Sequence, residues 1–350
     1  MSLVSSYNKI YLNQVYIMKK ILFYSSVKSK KMFSIQSFYR TDIQILKDLG
    51  YRVLLSNSII DFFLFWKYDI GFYYFYRFSF FCALIAKLCG KKNFFTGGID
   101  YLEPSFASSF QLFVQRVFFF LCNFVSDCNI IVSSTDENNI RKLYYGHLPR
   151  KCKKSFHVID YDKFEYKGEQ KENIISTIGW MVNVDNVYRK GIDKTIYAFS
   201  VFVKKHPNYK LIIAGPNGDG SAVIMNLVKK LTLCDKVIYL GAISESEKID
   251  LLKRSKVYSQ LSIYEGFGIA AIEALAAGNI VVHSGNGGLK DGVSTFGIQV
   301  DRDNVDSIIN GFELALGMTE QNHYYDAGIQ HVKDKFSYQK RLHDFEHILM

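Results

Sequence analysis

The chain has 350 residues, which predicts about two domains, because a single hydrophobic core rarely grows beyond about 250–300 residues. Its 49% hydrophobic and 22% charged residues, with only four prolines, exclude a largely disordered chain. The six cysteines contain no CxxC pair, so we expect reduced thiols rather than a disulfide framework.

The positive charge is concentrated in the first part of the chain. Residues 1–160 contain 21 Lys and Arg against 10 Asp and Glu, whereas the remainder has 22 against 23. This imbalance predicts an anionic partner for the first part, either a lipid surface, a lipid diphosphate or nucleic acid, although such charge also serves solubility. Because no nucleic-acid-binding motif is present, we expect no nucleic-acid partner.

The first 18 residues lack the basic start and apolar run of a signal peptide. We therefore interpret residues 1–18 as an N-terminal extension, with Met18 as an alternative start, and expect a cytoplasmic chain. The next elements are a strand over 19–26, a helix over 35–49 and a strand over 51–57, which indicate a βαβ unit and a parallel sheet.

Thirteen of the twenty residues in 62–81 are aromatic. A strand over 69–75 followed by a core helix explains this composition, and so does an interfacial surface with Arg77 and Lys87 among the aromatic side chains. The two explanations are compatible. A membrane-spanning helix is disfavoured, because Arg77 would lie in the middle of the bilayer.

A strand that ends near Thr96 runs into Gly97, Gly98 and Asp100, which predicts a tight turn with a carboxylate at its tip. A helix over 106–125, a strand over 128–134, a helix that opens at Asp136 and a strand over 155–160 complete the first domain, over residues 19–160. The polar residues 161–173 are interpreted as a linker. The Asp160-Tyr161-Asp162 spelling resembles a metal site of a different fold, and we discount it.

The second domain is predicted over 174–332. It begins with a strand over 174–181, and Arg189, Lys190 and Gly191 then open a helix that reaches about residue 205. A strand over 210–216 ends at Gly215 in a glycine-rich loop that can approach a nucleotide, and a further strand covers 236–241.

The most informative segment is EGFGIAAIEALAAG at 265–278, which follows a strand over 255–263. Strand, glycine loop and helix in this order direct free backbone N–H groups and a helix dipole at an anion such as a phosphate. Glu265 in the loop and Glu273 in the helix can both face the cleft and accept sugar or ribose hydroxyl protons. An ordinary surface pair of glutamates beside a Rossmann-type turn remains the alternative.

This segment resembles the signature of the retaining nucleotide-sugar glycosyltransferases of family 4, the glycosyl transferases group 1, which has two glutamates eight positions apart and Gly-Phe-Gly after the first. The resemblance implies an α/β fold of GT-B type, in which two Rossmann-like domains face each other across a cleft. It also implies that the first domain binds the acceptor and the second the donor, and that a C-terminal helix, here 333–350, crosses back to the first domain.

The resemblance also implies roles for individual residues. Glu265 would contact the donor sugar as a catalytic residue, Gly266, Phe267 and Gly268 would lie by the sugar and diphosphate, and Glu273 would bind the ribose. Lys190, with Arg189 beside it, would neutralise the departing diphosphate as a catalytic residue. The turn at Gly241 would seat the base. In the first domain, Gly97, Gly98 and Asp100 would bind the acceptor, with Asp100 contacting or deprotonating its hydroxyl.

Three departures from the family pattern weaken these roles. The acceptor loop 27–34 contains no glycine, the histidine that many members carry near residue 100 is missing, and Trp180 stands where the family usually has an arginine. A turn aspartate remains the alternative for Asp100, and a solvated lysine for Lys190.

We therefore expect a retaining transferase that moves a sugar from a nucleoside diphosphate sugar, as co-substrate and without a further cofactor or metal, to a saccharide or lipid-linked saccharide. The expected setting is bacterial surface polysaccharide assembly, at an anionic membrane surface on the inner face of the cell membrane. The rival interpretations are a non-catalytic partner subunit and a nucleotide-sugar epimerase on the same fold. Residues 343–347 match the H-x-x-E-H pattern of some zinc proteases, but we interpret them as part of a solvent-exposed helix face.

Overall fold

The computed structural model describes residues 18–319 and 324–350, so most of the predicted N-terminal extension lies outside the described residues. Two parallel six-stranded sheets, each flanked by helices, make up the described part of the chain. The fold is the expected α/β arrangement, with a cleft between the two sheets. No helix of the described residues is long and apolar enough to cross a membrane.

The first sheet has the strand order β2-β1-β3-β4-β5-β6. Its strands are β1 Lys20–Tyr24, β2 Arg52–Ser56, β3 Ile70–Tyr74, β4 Lys92–Thr96, β5 Cys128–Ile131 and β6 Cys152–Lys154. The α-helices of this domain are α1 Met32–Ile35, α2 Ser37–Asp48, α3 Ser79–Leu88, α4 Ser109–Val125 and α5 Ser134–Leu143. Short 3₁₀ helices cover Ile59–Phe63, Phe65–Lys67 and Asp100–Leu102. All five residues of β3 are buried, which explains why its sequence is apolar without alternation.

The second sheet has the strand order β12-β11-β10-β7-β8-β9. Its strands are β7 Glu172–Ile178, β8 Lys210–Ala214, β9 Val237–Tyr239, β10 Ser255–Gln260, β11 Ile280–His283 and β12 Ile298–Gln299. The helices from the domain joint to the C-terminus are α6 Tyr161–Phe164, α7 Val184–Lys190, α8 Ile192–Lys205, α9 Asp219–Lys230, α10 Glu245–Arg254, α11 Ile269–Ala276, α12 Leu289–Gly292, α13 Val305–Thr319, α14 Tyr324–Lys335 and α15 Tyr338–Leu349, and a 3₁₀ helix covers Ser294–Phe296.

The last helix returns to the first domain, as expected for this fold. Phe345 and Leu349 of α15 are buried in the core beneath α2 and β3. Arg341, with 1% of its side chain exposed, donates from Nε to Asp42 Oδ1 at 2.6 Å and from Nη2 to Asp42 Oδ2 at 2.7 Å. The predicted boundary at 332 falls inside α14, because that helix continues to Lys335.

Two predicted elements differ from the structure. The strand expected over 155–160 is absent, since β6 ends at Lys154 and the following residues form no sheet pair. The helix expected to open at Arg189 and Lys190 is two helices, because α7 ends at Lys190 and Gly191 joins it to α8.

Candidate active site

A cleft of about 950 Å³ lies between the two domains, at the ends of strands from both sheets. Its lining includes most of the residues singled out from the sequence, and these are Gly98, Asp100, Arg189, Lys190, Gly215, Glu265, Gly266, Phe267, Gly268 and Glu273. Gly97 and Gly241 are not among the lining residues, although Ala242 and Ile243, directly after Gly241, are.

Lys190 and Glu265 form an ion pair inside this cleft. The Lys190 ammonium donates to both carboxylate oxygens of Glu265, with 2.7 Å to Oε2, and both side chains are largely buried. Gly191 makes this position possible, because it adopts φ of +68° and a Cβ there would lie 2.2 Å from the carbonyl oxygen of Leu261. The end of α7 therefore packs directly against the chain that leads to Glu265.

Glu273 lies on α11 and forms a second buried ion pair. Its two carboxylate oxygens accept from Lys248 Nζ, each at 2.8 Å. Burial raises the pKa of Glu273, and the charge of Lys248 offsets part of this effect. Both side chains line the cleft, so this pair presents a carboxylate and an ammonium to any ligand beside α11.

Lys248 is a candidate site residue that the sequence analysis missed. It lies on α10, which begins with a capping box in which Ser244 accepts from the Glu247 backbone and Glu247 accepts from the Ser244 backbone. The capping box was readable in the sequence, but nothing local indicates which face of the helix meets Glu273, 25 residues further along the chain.

Asp100 is the first domain's contribution to the cleft. A Cβ at Gly98 would lie 2.9 Å from Asp100 Oδ1, and one at Gly266 would lie 2.7 Å from the same oxygen, so the carboxyl group lies close to both glycines. Desolvation, followed by the negative charge of Glu265, raises the pKa of Asp100 to about 6. Asp100 Oδ1 is buried and has no hydrogen-bond partner within the described protein.

A further carboxyl group, Asp136, lies behind Asp100. Its Oδ2 accepts from the Ile99 backbone at 3.4 Å and its Oδ1 from Tyr264 Oη at 3.2 Å, so it bridges the Asp100 turn and the residue before Glu265. Burial and the nearby charge of Asp100 raise the pKa of Asp136 to about 8, which keeps it largely protonated at neutral pH. Asp136 therefore holds the two domains together beside the cleft without adding a full negative charge.

Trp180 and Arg189 occupy the wall of the cleft where the family arginine was expected. Trp180 is 52% exposed, and the guanidinium of Arg189 contacts Asn186 Oδ1 at 3.5 Å. Both residues line the cleft together with Lys190 and Gly215. Arg189 therefore brings a positive charge to the cleft that Trp180 also lines.

The sequence motifs that resemble metal-binding motifs do not form a metal site among the described residues. His343 and His347 have their Nε2 atoms 3.1 Å apart on the exposed side of α15, away from the cleft. Within 18–319 and 324–350, no cluster of three or more His, Cys, Asp or Glu side chains is arranged to hold a metal ion.

Comparison with known proteins agrees with this geometry. Residues 162–331 match the family described as Glycosyl transferases group 1. An uncharacterized glycosyltransferase of Methanocaldococcus jannaschii is 39% identical over 195 residues, which cover 54% of this chain and 47% of the relative. The gpi3 subunit of phosphatidylinositol N-acetylglucosaminyltransferase from Schizosaccharomyces pombe is 24% identical over 216 residues, covering 61% of this chain and 46% of the relative.

The chain thus spans just under half the length of these two curated relatives. Among solved structures, Anabaena HepE in complex with UDP and glucose is similar with a TM-score of 0.76 at 15% identity, and the match covers 95% of this chain and 99% of that one. This likeness shows the fold, two Rossmann-like domains of GT-B type. The second domain, over residues 162–331, therefore matches the glycosyl transferases group 1.

Proposed function

We propose that the chain transfers a sugar from a nucleoside diphosphate sugar to a hydroxyl group of a saccharide or lipid-linked saccharide. The observation that carries this proposal is the placement of Asp100 from the first domain against Gly266, next to the ion pair of Lys190 and Glu265 from the second. A hydroxyl acceptor and a diphosphate leaving group then meet in one cleft.

In this reaction the bond between the anomeric carbon and the diphosphate oxygen breaks, and a bond to the acceptor oxygen forms. Lys190 and Arg189 stabilise the negative charge that develops on the departing diphosphate, and Glu265 accepts hydrogen bonds from the donor sugar. The acceptor proton passes to Asp100, whose raised pKa makes it a stronger base than an ordinary aspartate while leaving it ionised at neutral pH. Glu273 accepts the ribose hydroxyls, and no further cofactor is proposed.

We propose that the transfer retains the anomeric configuration. Asp100 Oδ1 lies close to Gly266, and the adjacent Glu265 pairs with Lys190, so the proposed proton acceptor and the proposed leaving-group cation are near each other in the cleft. An acceptor held by Asp100 would approach the sugar from the side on which the diphosphate leaves. Inversion would require the acceptor on the opposite side.

The proposed setting is the assembly of a bacterial surface polysaccharide, such as capsule, O-antigen or exopolysaccharide, at the inner face of the membrane. Two observations support a lipid-linked acceptor. The first 160 residues carry a net positive charge, and the gpi3 relative is named as part of an enzyme that glycosylates phosphatidylinositol.

Thermal stabilisation by UDP, GDP, ADP and their sugar conjugates tests the donor half of the proposal. We expect one nucleotide to raise the Tm of the wild type, since a ligand at about one hundred times its Kd adds about 2.7 kcal/mol. The shift should disappear in Glu273→Ala and persist in the matched control Glu313→Ala, a carboxylate on α13 that pairs with His206 instead.

Two other outcomes would point to the rivals. No shift with any nucleotide would favour a non-catalytic partner subunit, to which Trp180 and the missing histidine also point. A changed nucleotide sugar formed without any acceptor would favour an epimerase. Release of the nucleoside diphosphate that depends on added acceptor would exclude both.

A further inference from the structure

Helix α4 is apolar on two opposite sides. Phe119, Cys122 and Val125 pack into the core of the first domain. On the outer side, apolar residues recur at helical spacing and are exposed, from 40% at Val117 to 79% at Phe124, and the set is Phe110, Phe113, Val117, Phe120 and Phe124. A helix on the surface of a soluble domain normally presents polar residues on its outer side. This apolar outer stripe is therefore a surface that the rest of the described chain does not cover.

Helix α3 extends the same surface. Its outer stripe consists of Phe78, Phe81 and Leu88, with Leu88 80% exposed. Helices α3 and α4 pack side by side, and the rings of Phe81 and Phe118 meet at 6.4 Å between their centroids. The segment before β3, which contacts α3, adds Ile60, Phe63 and Trp66, all exposed. We call this combined surface the aromatic face.

The charges around the aromatic face are predominantly positive, although Asp61 and Asp69 adjoin it and Asp127 pairs with Lys87 at 3.3 Å. Neither α3 nor α4 contains an aspartate or glutamate, whereas Lys87 and Arg116 lie on their exposed sides. Lys67 and Lys92 are exposed at the adjoining segments. Exposed aromatic side chains interleaved with lysine and arginine complement the interface of an anionic bilayer, where the rings enter the headgroup region and the cations meet lipid phosphates.

A cavity of about 300 Å³ connects this face to the candidate active site. Its lining includes Arg77, Phe78, Tyr101, Gly98 and Asp100, and the last two also line the main cleft. The Arg77 guanidinium lies in the lining of this cavity, 5.1 Å from the centre of the Tyr101 ring. An arginine of this kind is suited to a phosphate.

We propose that the aromatic face docks on an anionic lipid bilayer and that the Arg77 cavity admits the phosphorylated head of a lipid-linked acceptor to Asp100. Phe78 belongs to both surfaces, so a lipid can keep its tail in the bilayer while its head follows the cavity. The role of Asp100 in this proposal rests on the proposed function, whereas the docking does not.

Co-sedimentation with vesicles tests the docking. We expect the wild type to bind vesicles of phosphatidylcholine with phosphatidylglycerol and to bind pure phosphatidylcholine at least tenfold more weakly. The variant Phe110→Ser/Phe113→Ser/Phe124→Ser should lose at least tenfold in binding to the mixed vesicles. The control Val201→Ser/Leu314→Ser replaces exposed apolar residues of the second domain and should bind as the wild type does. Equal binding by the wild type and the triple variant, or no binding by either, would overturn the docking.

Binding of farnesyl diphosphate in detergent tests the cavity, with inorganic pyrophosphate as the comparison. Arg77→Gln should weaken farnesyl diphosphate binding at least tenfold, while Lys151→Gln, a change of the same charge away from the cavity, should not. A site for free diphosphate alone would bind pyrophosphate as tightly as farnesyl diphosphate, and this result would overturn the cavity assignment. The assignment would also be wrong if Arg77→Gln bound farnesyl diphosphate as tightly as the wild type does. Donor-induced stabilisation, measured on the same variants, reports separately on the proposed function and should be retained.

Discussion

Asp100 shows how a single residue depends on both domains. The resemblance named it as an acceptor contact, but the sequence contained no information on its pKa, which results from burial against Gly266 and from the charge of Glu265. The same limit applies to Lys248, whose contact with Glu273 arises only when α10 and α11 pack together. Residue types and local motifs were therefore predictable, whereas the electrostatic pairs that join distant segments were not.

The pH dependence of transfer follows from the position of Asp100. If Asp100 takes the acceptor proton, kcat/KM should fall with a slope of one as the pH drops below about 6, because the carboxyl group becomes protonated there. Asp100→Asn should lower kcat/KM by about 10²- to 10⁴-fold and abolish this limb of the profile. The measurement is the initial rate of nucleoside diphosphate release between pH 5 and pH 8.

Glu103→Gln serves as the control for this prediction. Glu103 follows the same turn, but its carboxylate accepts from Asn139 and Ser105 and does not line the cleft. Its variant should retain the limb near pH 6. A profile of Asp100→Asn that matches the wild type in shape would show that another group receives the proton.

At the scale of elements, most strands and helices were predicted to within a few residues, because buried parallel strands and amphipathic helices have strong patterns. The absent strand at 155–160 has a specific cause. The apolar run there signals burial, but after the Ser155 N–H, which donates to Ile131 of β5, its backbone bonds outside the sheet. The Ser155 and Phe156 carbonyls accept from Arg341, and the Ile159 N–H donates to the Phe336 carbonyl. An apolar pattern therefore predicts burial more securely than strand pairing.

The break between α7 and α8 is the element that positions Lys190. Gly191→Ala should destabilise the protein and disturb the ion pair with Glu265, because the added Cβ would meet the Leu261 carbonyl in addition to being strained at φ of +68°. We expect a loss of at least about 2 kcal/mol in the free energy of unfolding, together with weakened nucleotide binding. Urea unfolding and the donor-induced Tm shift measure the two effects.

Gly90→Ala is the matched control, since Gly90 has φ of +72° and nothing within 4 Å of the Cβ position. It should cost only the backbone strain, about 1 kcal/mol, and leave nucleotide binding unchanged. Equal losses for the two variants would mean that the contact with Leu261 does not constrain this junction.

At the scale of the whole molecule, the two domains meet around the cleft and again where the C-terminal helix returns. Beside the cleft, Asp291 Oδ2 accepts from the Ser134 backbone at 2.6 Å, and Tyr264 donates to Asp136. On the far side of the first sheet, Arg341 ties α15 to Asp42 of α2 and to the backbone at Ser155 and Phe156. The return of the last helix was predicted from the resemblance, but the arginine that secures it was not.

Arg341→Met should destabilise the protein strongly, because it leaves Asp42 buried with only the Tyr74 hydroxyl as a donor and removes the donors to two backbone carbonyls. Loss of one partner of a buried ion pair costs about 3–5 kcal/mol, and thermal and urea unfolding should show a loss of that size. Lys340→Met, next in the chain, removes only an exposed partner of Asp344 at 3.2 Å and should change stability by less than about 1 kcal/mol. If Arg341→Met unfolded like Lys340→Met, the attachment of the C-terminal helix would rest on its other contacts, chiefly the apolar packing of Phe345 and Leu349 and the hydrogen bond from Tyr338 to Asp48. In that case the ion pair of Arg341 and Asp42 would determine where α15 packs on the first domain, and it would add little to the free energy of unfolding.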